Sequence, residues 1–168
     1  MKHKTKKISY TGLLLSFALV LSYVESILPF SFGVPGIKLG LPNFAVVLTL
    51  YIYGGIEAFF VDVLRIVLNA FLFGNMFALL YSLAGGMLSF FVMYLMKKTN
   101  FFSIIGVSIG GGVFHNIGQI LIAYKVVESE AVFYYLPALM IAGILTGGLI
   151  GILTNTIRKR LHGFMTLL

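Results

Sequence analysis

Two short polar constellations interrupt otherwise apolar stretches of this chain. In the first, Asp62 and Arg65 are three residues apart and Arg65 and Asn69 are four apart. On a helix these three share one face and can form an ion pair extended by a hydrogen bond. In the second, His115, Asn116 and Gln119 follow the run Gly110-Gly111-Gly112, with His115 and Gln119 on one face. Such groups offer hydrogen bonds and a fixed cation, which is the chemistry of holding a small molecule rather than of transforming one. The chain has no Gly-x-x-x-x-Gly-Lys-Ser/Thr phosphate loop, no His-Glu-x-x-His zinc pair and no Gly-x-Ser-x-Gly elbow. Its five Asp and Glu are scattered and it contains no Cys, so neither a disulfide framework nor a thiolate metal cluster can form. These absences argue against an enzyme and against a bound metal or cofactor. A transporter or a binding subunit remains.

The setting makes the polar residues informative. Of 168 residues 60% are hydrophobic and 10% charged, whereas a soluble domain carries about 25% charged and 45–50% apolar residues. The composition is that of a polytopic membrane protein embedded in the lipid bilayer. An ionisable group at mid-helix costs about 2.5–3.5 kcal/mol on insertion scales, so each needs a partner, a cavity or a place near the headgroups. Asp62 and Arg65 therefore read either as an intramembrane staple between helices or as part of a ligand site. His115, Asn116 and Gln119 read either as hydrogen-bonded glue between helices or as ligand-facing groups, the adjacent glycines admitting another helix or a ligand close to the backbone.

A crossing needs about 20 mainly apolar residues, and the chain divides into six apolar helical segments, over about 8–30, 41–54, 56–73, 76–96, 103–124 and 132–157. The stretch 41–73 would be about 50 Å long as one helix, and Gly54-Gly55 supplies the turn that divides it. The expected fold is all-α, one integral-membrane domain over 1–168 built as a six-helix bundle. The net charge is +7, and most cations fall in three clusters, Lys2/Lys4/Lys6/Lys7, Lys97/Lys98 and Arg158/Lys159/Arg160. With both termini cytoplasmic all three clusters lie inside, as the positive-inside rule requires, so the charge reports topology and not nucleic-acid binding. The first apolar segment exceeds the 7–15 residues of a signal-peptide core and no cleavage-like site follows it, so it is expected to remain as a helix.

At about 1.5 Å per residue, Glu25, Asn69, His115 and Gln119 fall in the outer half of the membrane. The loop from Pro29 to Asn43, with Lys38, lies above them. An outward pocket for a small polar or anionic solute follows, formed by Glu25, Lys38, Asn43, Arg65, Asn69, His115, Asn116 and Gln119. Gly33, Pro35 and Gly36 give the 32–38 segment the backbone of a lid. Plain solvation at headgroup level is the alternative for Glu25 and Lys38. The stripes Gly143-x-x-x-Gly147-x-x-x-Gly151 and Gly106-x-x-x-Gly110 read as helix-packing surfaces within the chain, and Gly12-x-x-x-Ser16 as a weaker stripe that faces a partner.

Five strings carry a family resemblance: Leu-Ser-Tyr-Val-Glu-Ser-Ile-Leu-Pro-Phe (21–30), Pro-Gly-Ile-Lys-Leu-Gly-Leu-Pro-Asn (35–43), Tyr-Ser-Leu-Ala-Gly-Gly-Met-Leu-Ser (81–89), His-Asn-Ile-Gly-Gln (115–119) and Tyr-Leu-Pro-Ala-Leu (135–139). Over nearly its whole length the chain resembles the membrane family known both as "Gx transporter" and as "heptaprenyl diphosphate synthase component I". That family is similar to the substrate-binding S components of energy-coupling factor (ECF) transporters. The resemblance implies a six-helix subunit of the bacterial cytoplasmic membrane that captures a vitamin- or cofactor-like solute from outside. It implies partnership with a transmembrane T component and two ATPase subunits, contacted through a small-residue stripe on the first helix. Gly12 and Ser16 occupy that stripe, where such subunits usually carry Ala-x-x-x-Ala. The alternative reading is a non-catalytic membrane partner in isoprenoid, quinone or flavin-linked redox metabolism. Prenyl condensation itself needs Asp-rich motifs that hold magnesium, and the chain has a single Asp.

Overall fold

The computed structural model describes residues 2–27 and 39–165, with side chains from 5 to 161 among them. Among the described residues there are six α-helices: α1 (Lys2–Ile27), α2 (Leu41–Ile52), α3 (Gly55–Phe73), α4 (Met76–Lys98), α5 (Ile104–Val127) and α6 (Leu136–Met165). A 3₁₀ turn over Glu130–Tyr135 leads into α6. Pro137 is the second residue of α6, where its missing N–H has no partner to lose; the single 132–157 segment read from sequence is therefore a turn followed by a longer helix. Asn75 and Ser103 cap α4 and α5 by accepting from the amides of Ala78 and Gly106 at 2.9 and 3.1 Å. Gly54 turns the chain between α2 and α3 at φ 112°, a conformation open to glycine. Gly55 is required for another reason, because a Cβ there would meet the Tyr94 ring at 2.6 Å.

Helices α1, α4 and α5 and the segment Glu130–Leu161 are long and apolar enough to cross a membrane, and the protein is an all-helical membrane protein. Helix α3 has 19 residues and carries Glu57, Asp62 and Arg65. Helix α2 has only 12, about 18 Å at 1.5 Å per residue, short of the roughly 30 Å hydrocarbon core. It is tolerated because protein surrounds it: Phe44 through Leu50 are all buried. Helix α1 packs on α3, α3 on α4, α4 on α5, α5 on α6, and α2 closes the ring by packing on both α6 and α1.

The ring has two unlike halves. Lys7 pairs with Glu57 at the start of α3, Lys97 donates to the Leu50 carbonyl at the end of α2, and Lys97 and Arg158 both lie over the Tyr51 ring at 5.0 and 5.5 Å. The cationic clusters of α1, α4 and α6 thus gather on one face. The half of the ring next to that face is filled by an apolar plug of α2 with Ala18, Ala58, Val61, Met93, Val107 and Ile150. The opposite half is polar.

Glycines set how closely the helices approach. On α5, a Cβ at Gly110 would meet Met96 of α4, one at Gly111 would meet Met93 of α4, and one at Gly112 would run into the Gly143 carbonyl of α6. The three consecutive glycines therefore serve two neighbouring helices at once. Gly143, Gly147 and Gly151 pack on the α5 backbone near Gly112, Ser108 and Ile105, as the stripe predicts. The second stripe is corrected: Gly110 faces α4, but the atoms nearest a Cβ at Gly106 belong to Phe102 and Ser103 of its own preceding turn.

Candidate functional site

The polar half of the ring encloses a cavity to which all six helices contribute. Its volume is about 100 Å³, several times the roughly 10–15 Å³ that one water needs. Glu25, Asn43, Arg65, Asn69, His115, Asn116 and Gln119 all line it, so spacing along single helices identifies groups that the fold brings together. Lys38 and the 32–38 lid segment lie outside the described residues.

Arg65 and Asp62 are 8% and 3% exposed. The guanidinium donates through Nε and Nη2 to Asp62 Oδ1 at 3.0 and 2.6 Å, and through Nη2 to Asn43 Oδ1 at 2.7 Å. Asp62 does not line the cavity; Arg65 does. The carboxylate neutralises and orients the arginine from behind, Asn43 ties it to the first turn of α2, and the guanidinium faces the cavity. The pair is thus both a staple between α3 and α2 and a wall of the site.

Glu25 has a use that local spacing does not reveal. Its Oε1 accepts from the amides of Gly40 and Leu41 at 2.5 and 3.3 Å. Gly40 precedes α2 in a left-handed conformation with no side-chain cap of its own. A carboxylate at that point satisfies the free N–H groups and complements the positive end of the helix. Much of the Glu25 charge is therefore answered by α2, in place of simple headgroup solvation.

On α5, Gly112, His115, Asn116 and Gln119 form one face. Asn116 Nδ2 donates to the Leu139 carbonyl at the start of α6, at 2.6 Å, so part of its capacity is spent between helices. His115 and Gln119 rest on Gly85 of α4, where a Cβ would stand 2.8 Å from both Gln119 Cγ and the His115 carbonyl oxygen. Gln119 is 2% exposed, and its amide makes no hydrogen bond to a described residue. Asn69 Oδ1 is buried without a partner. An unpaired buried acceptor of this kind costs about 1–3 kcal/mol, whereas the Gln119 amide opens onto the cavity.

Ser22, Ser26, Ser82 and Thr146 also line the cavity and escape the sequence reading. Ser22 precedes Glu25 by three residues and Ser26 by four, the spacings that group Asp62, Arg65 and Asn69, so the same rule extends to them; Ser82 carries no such signal. Gly12 and Ser16 are exposed on α1, away from the cavity, and nothing lies within 4 Å of a Cβ built on Gly12. Among the described residues no group of three His, Cys, Asp or Glu could hold a metal ion.

The sequence profile of the family described as "Heptaprenyl diphosphate synthase component I" matches residues 14–157. The chain belongs to that family. The match runs from the middle of α1 to the cationic end of α6, so it takes in every described residue of the cavity. No individual curated protein and no solved structure gives a significant match. Membership in this heptaprenyl diphosphate synthase component I family thus attaches to the whole ring of helices.

Proposed function

We propose that the protein is a solute-binding membrane subunit of the S-component kind. It captures a small, polar, vitamin- or cofactor-like solute in the cavity and depends on a separate T component and two ATPase subunits for turnover, without being an enzyme itself. The observation that carries this reading is the asymmetry of the ring: one half is plugged with apolar side chains, and the other holds a polar cavity lined by Arg65, Asn69 and Gln119. With the cationic face cytoplasmic, as the positive-inside rule favours, the cavity lies toward the outside. Asp62 offsets the charge of Arg65 and, with Asn43, takes up its Nε and Nη2, while the remaining guanidinium donors suit an oxygen of a solute carboxylate or phosphate. The exposed Gly12 and Ser16 leave room on α1 for the T component.

Purification of the tagged chain from its native membrane, followed by identification of the retained proteins, tests the reading. Recovery of a T component with two ATPases is the expected result, and Gly12→Leu should release them while leaving the chain folded. The family's description favours a second reading, a non-catalytic membrane partner of a prenyl diphosphate synthase. Reproducible recovery of a prenyltransferase without ATPases would establish that reading and overturn the first.

A further inference from the structure

Hydroxyl groups on buried helices ordinarily return their proton to their own backbone. Ser9, Ser16, Ser22, Thr49, Thr146 and Thr156 all do so here, each donating to the carbonyl four residues earlier. Ser89 on α4 and Ser108 on α5, like the buried Thr154 on α6, do not. The two serines are 3% exposed, yet neither hydroxyl bonds to a described residue. Both line a small void of about 20 Å³ that adjoins the main cavity and shares the wall residues Gly40, Asn43, Gly112 and Thr146 with it. That volume admits one water or one group of similar size. Gly111 keeps it open, since a Cβ there would stand 3.2 Å from Ser89 Oγ.

No charged side chain lines the void, so an ion entering it would lose its hydration without compensation. A hydroxyl fits, being a donor and an acceptor at once, as each serine is. We infer that this annex is a subsite for a neutral hydroxyl of the bound solute, occupied by a single water when the solute has none. The inference rests on the solute-binding reading and refines it: the solute carries an anionic group at the level of Arg65 and a hydroxyl at its far end.

Butyrate, valerate and hexanoate, each compared with its ω-hydroxy counterpart, probe the annex over a range of reach. Binding to the purified full-length protein is followed by thermal shift and titration calorimetry. At one chain length the hydroxy acid should bind about tenfold more tightly than its parent acid, the scale of one buried hydrogen bond. Ser89→Ala and Ser108→Ala should abolish that difference while leaving the parent acid's affinity within about twofold, a readout that a merely structural role would not produce. If the parent acids bind and the hydroxyl adds nothing at any length, the annex assignment falls and the solute site stands. If no member of either series binds, the annex assignment falls, and recovery of the T component and ATPases decides the solute-binding reading.

Discussion

Gln119 is the residue at which a binding role and a packing role predict opposite outcomes. Its amide lines the cavity and bonds to no described residue, so the packing of the helices does not depend on it. Gln119→Met keeps the volume and removes the amide. The expected result is a solute-free protein with an unchanged or higher melting temperature and a solute affinity lowered about 5- to 100-fold, read by thermal unfolding and by solute titration. A lower melting temperature with unchanged affinity would mean that the residue only staples helices. Residues of this kind were legible in the sequence because an amide, imidazole or guanidinium inside an apolar stretch demands a reason. The serines were not, because a helix can absorb a hydroxyl by back-bonding, and only the structure separates Ser22, which does this, from Ser89, which does not. Glu25 was legible as a site residue but not as the cap of α2, a bond spanning 15 residues of chain that no helical spacing rule can reach.

At the scale of helices, α5 is the hub, contacting α4 on one side and α6 on the other through successive glycines. Gly143 of α6 and Gly112 of α5 touch backbone to backbone: a Cβ at Gly143 would lie 2.8 Å from the Gly112 oxygen and 2.9 Å from its carbonyl carbon. Backbone cannot rotate away as a side chain can, so Gly143→Ala should force α5 and α6 apart. The expected cost is about 1–3 kcal/mol, the usual range for overpacking, together with a weakened solute affinity because Thr146 moves with α6. Gly12→Ala is the matched control, since an added methyl there meets nothing within 4 Å and removes a helix-weakening glycine worth about 1 kcal/mol. Thermal unfolding in detergent compares the two, and equal stabilities would refute the close packing of α5 on α6. The existence of each helix and the division of the second from the third at Gly54-Gly55 were legible from length and punctuation. The end of α2 at Ile52 was not, because its shortness depends on neighbours that shield it from lipid. The stripe containing Gly106 misled because glycine spacing does not say which glycine meets a neighbour.

For the whole molecule, the order of helices around the ring was beyond the sequence, since the closure of α2 on α6 joins elements separated by three others. The gathering of the cations on one face was not, because six alternating helices return every second end to the same side. That face brings Lys97 and Arg158 over one tyrosine and pairs Lys7 with Glu57. The opposite face carries the cavity and, between α5 and α6, Glu128 and Glu130. The positive-inside rule then selects one of the two orientations, and the choice has a functional consequence, because it decides which compartment the cavity samples. The native chain contains no Cys, so single cysteines report without background. Lys98 and Glu130 are both exposed, at opposite ends of the bundle. In intact cells an impermeant maleimide should label Glu130→Cys and spare Lys98→Cys, which should become reactive only after permeabilisation. Labelling of Lys98→Cys from outside would reverse the orientation, place the cavity on the cytoplasmic side and remove capture of an external solute from the functions this fold can perform.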